Sequence, residues 1–209
     1  MMQRFDFTLH VLVDPAQVPT GDVLPFCEAI QRGGATVVQL RGKTSTGHEL
    51  FQSAQAFRQA TRLVGLTFIV NDRLDVALAA DADGVHVGQD DLPVAAVRRL
   101  APTLAIGLSV GSFKELATAR LARPDYLGIG PVYPTQSKPD AGAALGVDGF
   151  RALARAANTV APVVAIGGIQ MDTADAVWRA GANGLAVISA VMSATDRTDA
   201  CRRLLPPRH

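Results

Sequence analysis

Residues 36–72, TVVQLRGKTSTGHELFQSAQAFRQATRLVGLTFIVND, contain the pattern from which the architecture of the chain follows. Two β-branched apolar runs, Thr36–Gly42 and Thr67–Asp72, enclose the segment His48–Leu63. Apolar residues recur in that segment every three or four positions, which predicts an amphipathic helix. Near-continuous apolar runs are typical of parallel strands that are covered on both faces. The stretch therefore predicts a strand, a helix and a second parallel strand.

The same alternation continues along the whole chain of 209 residues. Eight apolar runs of strand length occur: Phe7–Asp14, Thr36–Gly42, Thr67–Asp72, Gly84–Gln89, Leu104–Val110, Tyr126–Tyr133, Pro162–Gly168 and Gly184–Ala190. Eight strand–helix units predict a compact α/β fold, the (β/α)8 TIM barrel with parallel strands. A doubly wound open sheet is the alternative, but no Gly-x-Gly-x-x-Gly follows the first run. No linker divides the chain, so we predict one domain over residues 1–209.

Small and polar residues mark the boundaries between these segments. Ser112, with Glu115 three residues later, predicts a capping box at the start of a helix. The segments Ala82-Asp83-Gly84 and Gly181-Ala182-Asn183-Gly184 precede the fourth and eighth runs. Both predict a tight turn between a helix and the following strand.

Composition narrows the class of protein. Hydrophobic residues make up 48% of the chain and charged residues 19%, with a net charge of +1. This balance gives no electrostatic reason to expect a nucleic acid or a membrane as partner, and no apolar run is long enough to span a bilayer. The N-terminal residues lack the apolar core of a signal peptide, so we expect a cytoplasmic protein. A homo-oligomer remains open.

Cysteine and histidine spacing argues against a transition-metal site. Cys27 and Cys201 are far apart in the chain and form no Cys-x-x-Cys pair, so we expect two reduced thiols packed as small hydrophobes. The four histidines show no metal-ligand spacing; they are His10, His48, His86 and His209.

Polar residues gather where the predicted strands end, which is where barrel enzymes carry their active sites. Gln39 and Arg41 share one side of the second strand, and Lys43 lies just beyond its end. If that side faces the barrel interior, an amide and two cations converge on one point, which suits a polyphosphate. A solvated strand end is the alternative.

Acidic residues follow the next two strands. The third strand ends Asn71-Asp72-Arg73, and the fourth ends Gly88-Gln89-Asp90-Asp91. Carboxylates at adjacent strand ends, close to a cationic patch, suit a magnesium ion that bridges to phosphate. Capping of helix N-termini by Asp72 and Asp91 is the alternative.

The remaining strand ends offer hydroxyls and glycines. Ser109 ends the fifth strand, and the long connection Pro134–Gly146 carries Thr135, Ser137 and Lys138, a composition typical of a mobile active-site loop, although a solvated turn fits equally. Gly168 ends the seventh strand, and Ile188 with Ser189 ends the eighth. Barrels often bind a phosphate there on backbone N–H groups, whereas a plain turn is the alternative.

These residues together indicate two anion sites and a divalent ion in one barrel mouth. No Ser-His-Asp triad, Cys-His nucleophile pair or paired-carboxylate hydrolase signature stands out. The predicted class is chemistry on two phosphorylated small molecules, or on one molecule with two phosphate ends.

An ordered set of motifs from about residue 9 to residue 195 resembles the thiamine-phosphate synthase family. The matching segments are Gln39–Lys43, Asn71–Arg73, Ala82–Pro93, Gly107–Ser109, Gly128–Lys138, Gly146, Ala165–Ile169 and Ala186–Ala190. The resemblance implies a transferase that joins hydroxymethylpyrimidine diphosphate to a thiazole phosphate with Mg2+, by a dissociative substitution.

The resemblance also implies residue roles. Gln39, Arg41, Lys43 and Asn71 would hold the diphosphate, and Asp72 and Asp91 would bind Mg2+. Ser109 would lie near the pyrimidine and the reacting centre. Thr135, Ser137 and Lys138 would bridge the substrate phosphates, and Gly168, Ile188 and Ser189 would hold the thiazole phosphate. Lys43, Ser109 and Lys138 would be the catalytic residues.

Two departures and three alternatives remain. Ser137 replaces the family's usual Thr and keeps its hydroxyl, whereas His10 replaces the usual Tyr of the first strand.

A thiazole tautomerase relative would share the barrel but needs neither a diphosphate-binding site nor a metal. A non-catalytic thiamine-phosphate-binding homologue and an unrelated barrel, such as a sugar-phosphate epimerase, are the others.

Overall fold

The computed structural model describes residues 5–135 and 142–207. Its eight strands are all parallel and pair in chain order, and β1 pairs with β8 to close a barrel. The strands are β1 Leu9–Val13, β2 Val37–Leu40, β3 Thr67–Asn71, β4 Gly84–Val87, β5 Ala105–Val110, β6 Tyr126–Ile129, β7 Val163–Ile166 and β8 Gly184–Val187. The predicted (β/α)8 barrel is confirmed, and the pairing of β1 with β8 excludes an open sheet.

Helices surround the barrel. In the described residues they are α1 Val23–Arg32, α2 Gly47–Val64, α3 Leu74–Ala79, α4 Val94–Leu100, α5 Phe113–Ala122, α6 Gly146–Ala157, α7 Ala174–Arg179, α8 Ser189–Met192 and α9 Arg197–Leu204. Over the same residues, no helix is long and apolar enough to cross a membrane. The predicted helix His48–Leu63 is one residue longer at each end, and Cys27 and Cys201 are buried thiols in α1 and α9.

The predicted runs extend beyond most of the strands that they contain. The sixth run continues past β6 into Gly130–Tyr133, where Val132 is fully buried although it lies outside the strand. The eighth run ends in Ser189 and Ala190, which belong to α8. Apolarity continues at these points because the chain turns over the core as it leaves the barrel, so burial alone does not mark a strand end.

Side chains alternate between two apolar layers, as the period of a strand requires. The larger layer lies between the strands and the helices. The smaller layer fills the barrel and contains Leu12, Val37, Ile69, Tyr126, Val164 and Ala186. Among the described residues, three polar side chains are buried inside the barrel with this layer, His10, Gln39 and His86. The barrel is therefore a packed core, and polar groups within it require partners.

A polar residue stands just before every even-numbered strand and accepts a backbone N–H from the preceding odd-numbered strand. The pairs are Thr36 with Leu9 at 3.1 Å, Asp83 with Phe68 at 2.8 Å, Asp125 with Ile106 at 2.7 Å and Asn183 with Val163 at 2.8 Å. Arg58 and Arg98 pair with the two aspartates. These four residues, the pre-strand acceptors, connect adjacent units at the N-terminal end of the barrel. The predicted tight connections before β4 and β8 are confirmed, because four residues join α3 to β4 and four join α7 to β8.

The predicted capping box at Ser112 is half right. Ser112 Oγ accepts the N–H of Glu115, but the Glu115 carboxylate accepts the N–H of Gly111 at 2.7 Å instead of that of Ser112. A reciprocal box forms at α2, where Thr46 and Glu49 bond to each other's backbone N–H. Glu115 is thereby directed towards the end of β5 and the barrel mouth.

We expect Asp125→Ala to lower the free energy of unfolding by about 1–3 kcal/mol, because it leaves the Ile106 N–H without its acceptor. Asp125→Asn keeps an acceptor oxygen and loses only the charge pair with Arg98, so its loss should be smaller. Urea denaturation of both variants measures this. Equal losses would instead assign the effect to the charge pair.

His10 should make the fold sensitive to acid. Burial, and then the neighbouring His86, lower the pKa of His10 from 6.5 to about 3. Its Nε2 atom makes no hydrogen bond to any part of the chain that the structure describes. Between those two pKa values the unfolded chain binds a proton that the folded chain does not, so stability falls as the pH falls, by up to about tenfold in the unfolding constant per pH unit.

We therefore expect His10→Leu to weaken this dependence. The free energy of unfolding, measured in urea at about pH 7 and about pH 5, should change less in the variant than in the unmodified chain. The same slope in both proteins would contradict a neutral, buried His10.

Candidate active site

A cavity of about 350 Å³ opens at the C-terminal ends of the strands. All eight strands contribute to its wall, and the cavity is the natural place for a ligand in this fold. Each candidate residue that the structure describes lines it: Gln39, Arg41, Lys43, Asn71, Asp72, Asp91, Ser109, Thr135, Gly168, Ile188 and Ser189. Ser137 and Lys138 lie outside the described residues.

One corner of the cavity is cationic and is formed by the end of β2. Gln39 and Arg41 point to the same side, into the barrel mouth, as the strand period predicts. Lys43 follows after a sharp turn at Gly42, where a Cβ would lie 2.8 Å from Leu50 Cδ1 and 2.9 Å from Ser45 Oγ. A larger residue there would have to displace the ends of these two side chains, and the chain on either side of Gly42 brings a guanidinium and an ammonium to one place.

A pair of carboxyl groups lies beside that corner. Asp72 contacts Lys43 Nζ at 2.5 Å and adopts a left-handed backbone conformation, with φ of 63°. Burial, together with the adjacent Asp91 carboxyl, raises the pKa of Asp72 above its ordinary value, while Lys43 acts in the opposite direction. Asp91 also accepts the Gly88 N–H at 2.7 Å. Negative charge is thus concentrated at one partly buried point.

The capping alternative for these aspartates does not hold. The N-cap positions of α3 and α4 are Arg73 and Pro93, and neither helix has a side-chain cap. Asp72 and Asp91 instead direct their carboxyl groups towards each other and towards the cavity.

A third part of the mouth is built from backbone at the ends of β7 and β8. Gly167 and Gly168 have φ of 100° and 65°, and a Cβ at Gly168 would lie 2.5 Å from the Pro134 oxygen. Ile188 and Ser189 begin α8, where the first N–H groups have no partner within the helix. The Ser189 hydroxyl accepts a hydrogen bond from Gln170 Nε2 at 3.1 Å. This corner presents N–H and O–H groups, which suits an oxyanion.

The floor of the cavity contains a hydrogen-bonded group that the sequence patterns did not reveal. Tyr126 Oη lies 3.2 Å from Gln39 Nε2 and 2.9 Å from His86 Nδ1, and His86 Nε2 lies 2.9 Å from Ser109 Oγ. The sequence could have indicated one part of this group. Side chains alternate along β4, so His86 points into the barrel on the same side as Gly84 and Gly88. Its contact with Tyr126 depends on β4 and β6 meeting inside the barrel, which no local spacing shows.

Comparison with known proteins agrees with this geometry. A family model described as thiamine monophosphate synthase matches residues 9–191. A thiamine-phosphate synthase of Chloroflexus aurantiacus is 47% identical over 95% of this chain and 91% of its own length. One from Azorhizobium caulinodans is 44% identical over 98% and 96%.

Solved structures give the same result. A thiamine phosphate pyrophosphorylase from Pyrococcus furiosus superposes with a TM-score of 0.83 at 42% identity, covering 95% of this chain and 94% of that one. A 3-hexulose-6-phosphate synthase, at 18% identity and a TM-score of 0.67, shares the fold alone. The family match and the relatives above 40% identity span nearly the whole chain. The chain therefore belongs to the thiamine monophosphate synthase family of transferases.

Proposed function

We propose that the chain is a thiamine-phosphate synthase. It would condense 4-amino-2-methyl-5-hydroxymethylpyrimidine diphosphate with 4-methyl-5-(2-phosphoethyl)thiazole to give thiamine monophosphate and pyrophosphate. The observation that carries the proposal is that one cavity has two separate corners whose groups suit anions, one at β2 and one at β7 and β8. A reaction between two phosphorylated molecules needs both corners within reach of one reacting centre.

The diphosphate would bind at the β2 corner. Arg41 presents a planar guanidinium that can hold two oxygens at once, whereas Lys43 acts as a compact charge. Gln39 and Asn71 add amide groups from neighbouring strands. The positive charge of Arg41 and Lys43 would stabilise the pyrophosphate as it leaves, because negative charge develops on the oxygen that was bonded to the pyrimidine methylene carbon.

Asp72 and Asp91 fit a magnesium site. Their carboxyl groups contact each other, and burial together with the Asp91 carboxyl raises the pKa of Asp72, so a cation between the two carboxylates would be favourable. In the described part of the chain, no three His, Cys, Asp or Glu side chains form a complete ligand set, so phosphate oxygens and water would complete the coordination, as is usual for Mg2+. When bound, Mg2+ would neutralise charge on the departing pyrophosphate.

The chain's own groups would organise the substitution. The bond between the pyrimidine methylene carbon and the diphosphate oxygen breaks, and the thiazole nitrogen forms the new bond to that carbon. This chemistry needs no protein nucleophile, but it needs the partners held in line and water kept out. Ser109 would orient the pyrimidine, and the N–H groups around Gly168, Ile188 and Ser189 would fix the thiazole phosphate.

The loop after β6 would complete the enclosure. Thr135 lies on the cavity wall, and Ser137 and Lys138 remain predictions for the phosphate-bridging part of this loop. Lys138 would share with Lys43 the stabilisation of the departing charge.

We expect the purified protein to form thiamine monophosphate from the two substrates when Mg2+ is present, and to lose this activity with excess chelator. Chromatographic detection of the product measures the result. No product from folded protein that still binds the thiazole phosphate would reject the synthase and favour a tautomerase or a non-catalytic binding protein.

We expect Asp91→Asn to lower kcat at least about 100-fold and to raise the Mg2+ concentration needed for half-maximal rate, because one carboxylate of the pair is lost. Asp81→Asn is the matched control. It removes one charge by the same change at an exposed position between α3 and β4, away from the cavity. Similar rates for both variants would reject the magnesium assignment.

A further inference from the structure

The polar floor forms a continuous line through the barrel that crosses four strands. It runs from Gln39 on β2 to Tyr126 on β6, then to His86 on β4 and Ser109 on β5. Tyr126, Gln39 and His86 are 1%, 3% and 8% exposed, so water does not compete for their hydrogen bonds. Ser109 is held from its other side, because its carbonyl accepts Gln89 Nε2 at 2.6 Å.

Two glycines leave the space that this line requires. A Cβ at Gly107 would lie 2.2 Å from Tyr126 Cζ and 2.4 Å from His86 Nδ1. A Cβ at Gly128 would lie 2.9 Å from His86 Cε1. Side chains from β4 and β6 therefore meet over β5 only because β5 carries no side chain at that level. The contact between His86 and Tyr126 therefore requires glycine at both of these positions.

The hydrogen bonds in this line have one direction. Gln39 Nε2 is a donor only, so the Tyr126 oxygen accepts from it. Tyr126 is buried, so its own proton also needs an acceptor, and within the described residues His86 Nδ1 at 2.9 Å is the partner that can accept it if that nitrogen carries no proton. With Nδ1 as the acceptor, a neutral imidazole carries its proton on Nε2 and donates it to Ser109 Oγ, 2.9 Å away. The Ser109 hydroxyl, having accepted, is left to donate its own proton into the cavity.

We propose that Tyr126 and His86 are positioning residues that fix His86 as the Nε2–H tautomer and so make Ser109 a hydrogen-bond donor to an acceptor atom of the substrate. This reverses the role that the distance between His86 and Ser109 alone would suggest. A Ser-His nucleophile pair needs an unprotonated Nε2 to take the serine proton. Here Nε2 is already protonated, so Ser109 orients the substrate and forms no covalent bond to it.

The tautomer can be measured without turnover. In protein labelled with 15N-histidine, His86 should show a protonated, pyrrole-type Nε2 and an unprotonated, pyridine-type Nδ1, with its signals assigned from the spectrum of His86→Gln. A proton on Nδ1, or on both nitrogens, overturns the proposal.

Two variants test what sets the tautomer. Gln39→Glu replaces the donor by a carboxylate, which would accept the Tyr126 proton and move the His86 proton to Nδ1. Tyr126→Phe removes the donor to Nδ1 and should lower the fraction of the Nε2–H tautomer. Tyr133→Phe is the matched control, since Tyr133 is the chain's other tyrosine and lies outside this line. An unchanged His86 signal in both test variants overturns the proposal.

The kinetic consequence rests on the proposed function. Tyr126→Phe and Ser109→Ala should each lower kcat/KM, by about tenfold or more for one oriented hydrogen bond. The double variant should be no worse than Ser109→Ala, because Tyr126 acts through Ser109. Multiplied losses would mean that Tyr126 acts independently, and they would overturn the positioning role.

The two arms separate the two proposals. An Nε2–H tautomer that responds to Gln39→Glu, in a protein that makes no thiamine phosphate, supports the directional line and rejects the synthase. Product formation by a protein whose His86 carries its proton on Nδ1 supports the synthase and rejects the directional line.

Discussion

The hydrogen-bonded ladder between β1 and β8 is the constraint on which the rest of the structure depends. It joins the first strand to the last, leaves the sheet without an edge and turns the ends of all eight strands towards one mouth. Residues that are far apart in the chain, such as Arg41 and Ser189, then line one cavity. Since every strand is parallel, each contributes its C-terminal end to the site and its N-terminal end to the opposite rim, where the pre-strand acceptors connect neighbouring units. Stability and chemistry thereby occupy different ends of the barrel.

The sequence predicts the fold well because the signals that determine it are local. Apolar runs and helical spacing depend on neighbours within about one helix or strand, so the eight units and α2 emerge without knowledge of the tertiary structure. Strand ends are less predictable, because residues such as Val132 stay buried after the ladder stops. The four-residue helix α8 was missed since it is too short for a periodic signal and its residues continue an apolar run.

The site divides in the same way. The position of Gln39, Arg41 and the acidic residues in one mouth could be predicted, because strand alternation and barrel geometry together place strand ends side by side. The contact of Tyr126 with His86 could not, since it joins β6 to β4 across the intervening strand. Such a contact depends on the width of the barrel and on the absence of a side chain at Gly107 of β5. The sequence spacing of His86 and Tyr126 indicates neither of these.

The missing side chain at Gly107 also limits how this protein can change. A methyl group there would collide with both rings of the floor, so Tyr126 and His86 cannot be retained if Gly107 is replaced. Conversely, a smaller residue at 126 would leave a hole in the floor of the cavity. The absence of a side chain at position 107 and the large rings at positions 86 and 126 therefore depend on one another, and a change at one of these positions requires changes at the others. Altered substrate preference would arise more readily in the surrounding loops than in the barrel interior.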